Sequence, residues 1–383
     1  MEETIRLFDD DSYIKDFTAT VIESYEEGGK FVTVLDRTAF FPEEGGQSCD
    51  VGTIGTSFVS HVEEREGIIL HYTDKKFTAG ETVSGAINFE ERFRKMQNHT
   101  GEHILCGIAH TLRGAENVGF HLSEEYVRVD LDIFLDKDQL AELEAKANFT
   151  IAENHRVIAW YPDPSELDAT EFRSKNGIRG KVRLVKIEGV DICACCAPHV
   201  QSTGEIGVLK IIDAIKYKGG TRLEIVCGSD AVKMFIREHK LISELASSYS
   251  VKRDELKDAV YRQKEEVLSL THKLRKAEKD LMLNELSKLE PTDANFCFFY
   301  EDADPENVRE FLNGAVAKCG KMCAGFIGDD CSGYRYIIRS ENIDLKNECH
   351  AINKAINGNG GGSSVMIQGR AAADRETIER FFK

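Results

Sequence analysis

His99-Thr100-Gly101-Glu102-His103 lies within a run, from Phe89 to Leu112, where β-type patterning gives way to Glu- and Arg-rich helical periodicity. On an α-helix each residue turns about 100° and four residues rise about 6 Å, so the two imidazoles stand one above the other on a single face. Much later, Cys195-Cys196-Ala197-Pro198-His199 repeats the four-residue spacing with a thiol and an imidazole. Together the halves offer three imidazoles and one thiolate, a complete tetrahedral zinc set with nitrogen at roughly 2.0–2.1 Å and sulfur at roughly 2.3 Å. Each half alone has a plain structural explanation. The histidines suit a helix surface or a hydrogen-bonded core, and Cys193, Cys195 and Cys196 suit buried thiols acting as small apolar groups. Their co-occurrence in a chain without a secretion signal favours metal over disulfides.

Composition narrows the classes. At 383 residues, 42% of them apolar, the chain has material for two or three domains with ordinary cores. The start, MEETIRLFDDDSYIK, is acidic and lacks an apolar segment, and no later stretch approaches the ~20 apolar residues that cross a bilayer, so a cytoplasmic protein with no membrane partner is expected. Eleven cysteines, an odd number without a framework pattern, suit a reducing compartment. A net charge of −17 excludes indiscriminate coating of nucleic acid. Residues 169–222 run the other way, with ten Lys or Arg (Arg173, Lys175, Arg179, Lys181, Arg183, Lys186, Lys210, Lys216, Lys218, Arg222) against five acids. That stretch reads either as an RNA-facing patch or as a solvated charged face.

From residue 14 to about 88, short runs such as Phe31–Leu35 and Gly67–Tyr72, separated by Gly-rich turns, predict antiparallel β structure. The helix of His99 and His103 follows, then strands at Val118–Leu122 and Tyr126–Leu131, and a helix over 137–154 with Asp136 as N-cap. Strands return at 182–188 and 205–227. Between Asp230 and Leu289 there is neither Gly nor Pro, and Val260, Val267, Leu274 and Leu281 recur every seven residues beside Leu256, Leu270 and Ala277. This predicts a coiled coil. Sixty helical residues would reach about 90 Å, so an antiparallel hairpin or a homodimer seam is expected, with Gln263 and Asn284 fixing register. After Pro291, alternating strands and helices predict a small α/β module, in which Gly358–Gly362 reads as a flexible hairpin or loop. The fold class is therefore α+β, in four segments. These are a β-rich, barrel-like subdomain over 1–88, a zinc-binding α+β core over 89–228, a coiled-coil-like segment over 229–290, and an α/β domain over 291–383.

Several segments coincide with one known pattern. His99-Thr100-Gly101-Glu102-His103, Cys195 with His199, the loop Phe41-Pro42-Glu43-Glu44-Gly45-Gly46-Gln47 with Asp50 and Gly52, and Thr203-Gly204-Glu205-Ile206-Gly207 resemble the editing domain of alanyl-tRNA synthetase. The chain resembles the free-standing relatives of that domain, the AlaX proteins, over roughly residues 10–228. The helical segment and the glycine-bearing end, Gly360 to Gly369, are similar to the DHH-associated domain of synthetases and of the long AlaX type. The resemblance implies a hydrolase that removes serine wrongly attached to tRNA(Ala), with glycine left open as a second substrate. With no aminoacylation domain visible, it implies action in trans on mischarged tRNA(Ala); the helical segment and the last domain read either as a homodimer contact or as a grip on the tRNA.

The chemistry can be built without the family. Hydrolysis of an aminoacyl ester needs a nucleophile at neutral pH and a stabilised oxyanion, and bound Zn2+ supplies both by lowering the pKa of water from about 15.7 to about 7 and polarising the carbonyl. If His99, His103, Cys195 and His199 all bind, the site is closed by ligand count, and catalysis requires a fifth position or displacement. Gln47 is expected to orient water or substrate, because its amide both donates and accepts beside a Gly-Gly turn. Thr38 is expected to hydrogen-bond the seryl hydroxyl, giving discrimination that an apolar pocket lacks. Glu102 directly precedes the second His, unlike a metalloprotease base, and is expected to be solvated. Where synthetases show Cys-Gly-Gly-Thr-His, this chain has Cys196-Ala197-Pro198 between Cys195 and His199, so Cys193 or Cys196 remains an alternative ligand. The competing functional class is a zinc-stabilised tRNA-binding or assembly module without turnover.

Overall fold

Residues 2–174 and 181–383 are described by the computed structural model, which is α+β as expected. The chain divides into two units, Met1–Ile242 and Ser243–Lys383.

In the first unit six strands close into a barrel, in the order Asp16–Glu27, Lys30–Leu35, Ile68–Thr73, Ser57–Arg65, Gly52–Ile54 and Thr82–Ile87. Period-2 alternation puts Val21, Leu35, Ile54, Val59, Val62, Ile69 and Val83 into one core with Phe8, Phe40 and Phe41. A polar file is buried with them. The His71 Nδ1–H donates to the Thr33 carbonyl (2.9 Å), which leaves Nε2 to accept from the Thr38 hydroxyl (2.9 Å). Burial holds the His71 pKa down at about 4, against an ordinary 6.5. The folded chain therefore refuses a proton that the unfolded chain takes up below pH 6.5. Stability is intact above that pH and falls as the pH drops to 4, by about 3 kcal/mol from this group. Urea unfolding at pH 7 and pH 4.5 should show this loss in the wild type and much less of it in His71→Gln.

Phe89–Arg113 forms one helix, hereafter the ligand helix. Asn88 caps it by accepting from the Glu91 N–H (3.3 Å), and Gly114 ends it in the left-handed region at φ +66°. It packs on a four-stranded sheet ordered Leu209–Tyr217, Gly220–Cys227, Val127–Leu131, Asn117–Leu122, and on the helix Lys137–Glu153, which Asp136 starts with a capping box as expected. A second sheet, Val157–Trp160, Leu184–Ile187 and Asp191–Ala194, leads into the cysteine turn.

Four cations of the basic stretch are paired with acids. Arg173, Arg183, Lys210 and Arg222 pair with Asp191, Asp9, Glu144 and Asp130, while Lys175 and Arg179 lie outside the described residues. Charge along the chain could not show that the acids of distant strands meet these cations.

The helical run and the last domain add detail to what was expected of them. The run from Asp230 to Leu289 is two helices, Gly228–Ser248 and Leu256–Lys288, with Ser250 at φ +54° between them. Val260, Val267, Leu274 and Leu281 are 45–70% exposed, so the heptad seam lies open in the single chain. The second helix instead buries Met282 and packs Leu286 against Pro305–Ala315. Of the two readings of Gly358–Gly362 the hairpin is the one found: it is an edge strand paired antiparallel with Met366–Ala371 in a five-stranded sheet ordered Phe296–Tyr300, Cys323–Asp329, Gly333–Arg339, Met366–Ala371, Gly358–Gly362. The partner strand's backbone supplies what four glycines lack in propensity. Among the described residues no helix is long and apolar enough to cross a membrane.

Candidate metal centre

Helical spacing and the cysteine turn bring His99, His103, Cys195 and His199 together, with one donor atom of each within 4.8 Å of the others. Cys195 Sγ lies 3.3 Å from His199 Nε2 and 3.6 Å from His99 Nε2. A tetrahedron with arms of about 2.0–2.3 Å has edges of roughly 3.3–3.8 Å, so these separations suit a shared zinc ion. The three imidazoles are buried.

Outer contacts fix which nitrogen faces inward. The His99 Nδ1–H donates to Gln47 Oε1 (2.8 Å), and the His199 Nδ1–H donates to Thr100 Oγ1 (3.0 Å), leaving each Nε2 as a donor toward a metal. Burial, with the neighbouring His103 and His99, holds His199 well below the ordinary imidazole range, so its lone pair is available. Phe120 stacks on His99 at 4.6 Å. Gly46 makes this possible: its φ is +85°, and a Cβ there would stand 2.9 Å from the Phe120 ring. Arg183, itself buried, donates to the carbonyls of Cys195 (3.3 Å) and Ala197 (2.8 Å) and so holds the turn that carries the thiol.

Cys193 and Cys196 lie outside the group that joins all four donors. Cys196 Sγ packs against Gly45, and Cys193 groups with His103 and Asp191. Asp191 already accepts two bonds from Arg173 (2.8 and 2.6 Å), which makes that second trio a poor cation site. Burial pushes both thiols well above the ordinary cysteine range.

Gln47 is fully buried, and its amide nitrogen, with no hydrogen-bond partner, is a donor beside His99. Thr38 is buried within the barrel; its proton goes to His71 and its oxygen accepts from the Phe40 N–H (3.1 Å), so it retains only acceptor capacity. Glu102 is not solvated as expected but 3% exposed. Three residues beyond His99 on a helix, it shares the buried face. Sequence reasoning passed over Thr100, Phe120 and Arg183. Only Thr100 had a local signal, its place between the two histidines.

Three imidazoles and one thiolate converging in a buried α+β core beside a barrel define a candidate metalloprotein. Comparison with known proteins makes this specific. Residues 182–224 match the family described as threonyl and alanyl tRNA synthetase second additional domain, and residues 11–91 match tRNA synthetases class II (A). An alanine–tRNA ligase of Ignicoccus hospitalis is 31% identical over 322 residues, covering 81% of this chain and 35% of the ligase. One from Pyrococcus abyssi is 28% identical and covers 100% of this chain and 44% of the ligase. The alanyl-tRNA editing protein AlaX-L of Pyrococcus horikoshii is 31% identical over 237 residues, 59% of each chain. The chain is similar to alanyl-tRNA editing proteins and alanine–tRNA ligases, and it spans 35–44% of the ligases' length and 59% of the editing protein's.

Proposed function

We propose that this chain is a trans-acting editing hydrolase that deacylates mischarged tRNA(Ala), seryl- and also glycyl-, with zinc held by His99, His103, Cys195 and His199. The observation that carries the reading is the convergence of those four donors from two distant segments, with His99 and His199 oriented from behind. When bound, zinc supplies Lewis-acid chemistry that polarises an ester carbonyl or acidifies water. The protein's own groups do the rest. Gln47 keeps His99 in register through its oxygen and offers its amide N–H to the oxygen that becomes negative as the ester is attacked. Thr38, its proton committed to His71, accepts from a seryl hydroxyl and so rejects the methyl of alanine. Thr38 is buried, so a seryl group reaches it only when the barrel around it opens.

A second reading, a zinc-stabilised tRNA-binding module without turnover, is favoured by one observation: four protein ligands, three of them buried imidazoles, make a closed set of the structural kind. One assay separates the two. The full chain should release serine from seryl-tRNA(Ala), spare alanyl-tRNA(Ala), lose activity to a chelator and regain it with zinc. Gln47→Leu should lower kcat about 10²-fold, as removal of one oxyanion donor does. Retained zinc and bound tRNA with no serine released would establish the second reading.

A further inference from the structure

Residues 8–13 have no part in the chemistry described so far, yet this one segment reaches both stretches of chain that carry candidate metal donors. The Asp9 side chain is 10% exposed; its Oδ1 lies 3.6 Å from Arg183 Nε, and its Oδ2 accepts from the Tyr161 hydroxyl (2.8 Å). Arg183 is the buried cation that donates to the carbonyls of Cys195 and Ala197, so Asp9 answers the charge that holds the thiol's turn. The Ser12 carbonyl accepts from Arg92 of the ligand helix (3.0 Å). Tyr13 packs its ring on Phe89 and Phe93 of that helix. Its hydroxyl donates to Glu205 Oε2 (2.6 Å) and accepts the N–H of Gln201 (3.1 Å), two residues beyond His199. Glu205 Oε1 takes the N–H groups of Gln201 and Ser202 (3.2 and 3.0 Å), which gives the Thr203-Gly204-Glu205-Ile206-Gly207 motif a share in holding the same turn. Phe8 is buried and meets the Phe41 ring edge-on, at the start of the loop that ends in Gln47 (5.5 Å).

We propose that Asp9 and Tyr13 are positioning residues of the metal centre: residues 8–13, when docked, set the Cys195 turn and the segment after His199 in the arrangement that receives the cation. The proposal rests on reading the four donors as a zinc site. Holding donors in place before the cation arrives removes part of the ordering cost of binding, and so raises affinity. The coupling runs both ways. If docking of this segment favours the cation, bound cation favours docking of the segment by the same factor.

The test uses the full chain as wild type, Asp9→Asn and Tyr13→Phe. Hydrogen exchange of the wild type is compared in metal-free and zinc-loaded forms, and zinc affinity of all three is measured by competition with a chromogenic chelator, beside urea unfolding without metal. Zinc should slow exchange in residues 8–13 and in residues 195–202 together, and leave the strand Cys323–Asp329 of the second unit unchanged. Asp9→Asn keeps the shape that accepts from Tyr161 and loses the charge that answers Arg183; Tyr13→Phe keeps the packing on Phe89 and Phe93 and loses the hydroxyl. Each should weaken zinc binding about tenfold. Residues 8–13 that exchange alike with and without zinc overturn the proposal, even where neither variant folds. Variants that unfold more easily without metal but bind zinc as tightly as the wild type also overturn it, by showing a role in packing alone. A wild type that binds no zinc overturns both this proposal and the metal-dependent function. Chelator-insensitive serine release from a wild type whose zinc affinity depends on Asp9 and Tyr13 removes zinc from the reaction and leaves the positioning role standing.

Discussion

Cys195→Ser is expected to strip the protein of zinc and to lower serine release from seryl-tRNA(Ala) by about a thousandfold or more. A hydroxyl does not ionise near neutral pH as a thiol does, and the thiolate is the only anion among the four donors, so its loss removes both a bond and the attraction for the cation. Polarisation of the ester by zinc accounts for several kcal/mol of transition-state stabilisation, and each 1.4 kcal/mol is about tenfold in rate. His103→Ala should act in the same direction. The neighbouring thiols provide the control, because Cys196 faces Gly45, and Cys193, although close to His103 and Asp191, is not in the group that joins all four donors. Cys193→Ser and Cys196→Ser should keep zinc at one equivalent and most of the activity. Metal analysis alongside the deacylation rate reads both. Zinc loss in Cys193→Ser with retention in Cys195→Ser would move the ligand to the other thiol.

The four candidate donors were legible because both halves are local: four residues on a helix and four across a turn show their spacing in the sequence itself. What surrounds them is not local. Thr100 meets His199, and Gln47 meets His99, across long stretches of chain, and no periodicity marks such pairs. Glu102 was misread for a different reason. Its spacing from His99 placed it on the buried face, but a carboxylate belongs there only once Asn117 arrives from the neighbouring strand. The heptads of Leu256–Lys288 show the converse: a repeat states that an apolar seam exists and not what covers it.

The same distinction identifies the pair on which the site's geometry depends most, and it predicts the largest effect on stability. Arg92, on the first turns of the ligand helix, and Asp50, at the end of the segment carrying Gln47, are both wholly buried. Arg92 Nε donates to Asp50 at 3.0 Å, and its other nitrogens reach the carbonyls of Ala39 (2.6 Å) and Ser12 (3.0 Å). Asp50 in turn accepts the Phe41 N–H at 2.7 Å, so one ion pair ties the ligand helix to both ends of the Phe41–Gln47 loop. Arg92→Met keeps much of the volume but leaves Asp50 charged, buried and without its cation, which should cost about 3–5 kcal/mol. Asp50→Asn strands the guanidinium and should cost a similar amount. The double variant Arg92→Met/Asp50→Asn leaves neither charge and should lose markedly less than the two single losses added together. Any of the three that folds should also show weakened zinc retention, because Gln47 no longer holds His99 from a fixed loop. Urea unfolding of all four proteins, read with their zinc content, tests this. Additive losses would mean that the two residues stabilise the barrel and the helix separately, and that the loop over the metal centre is held by its own packing.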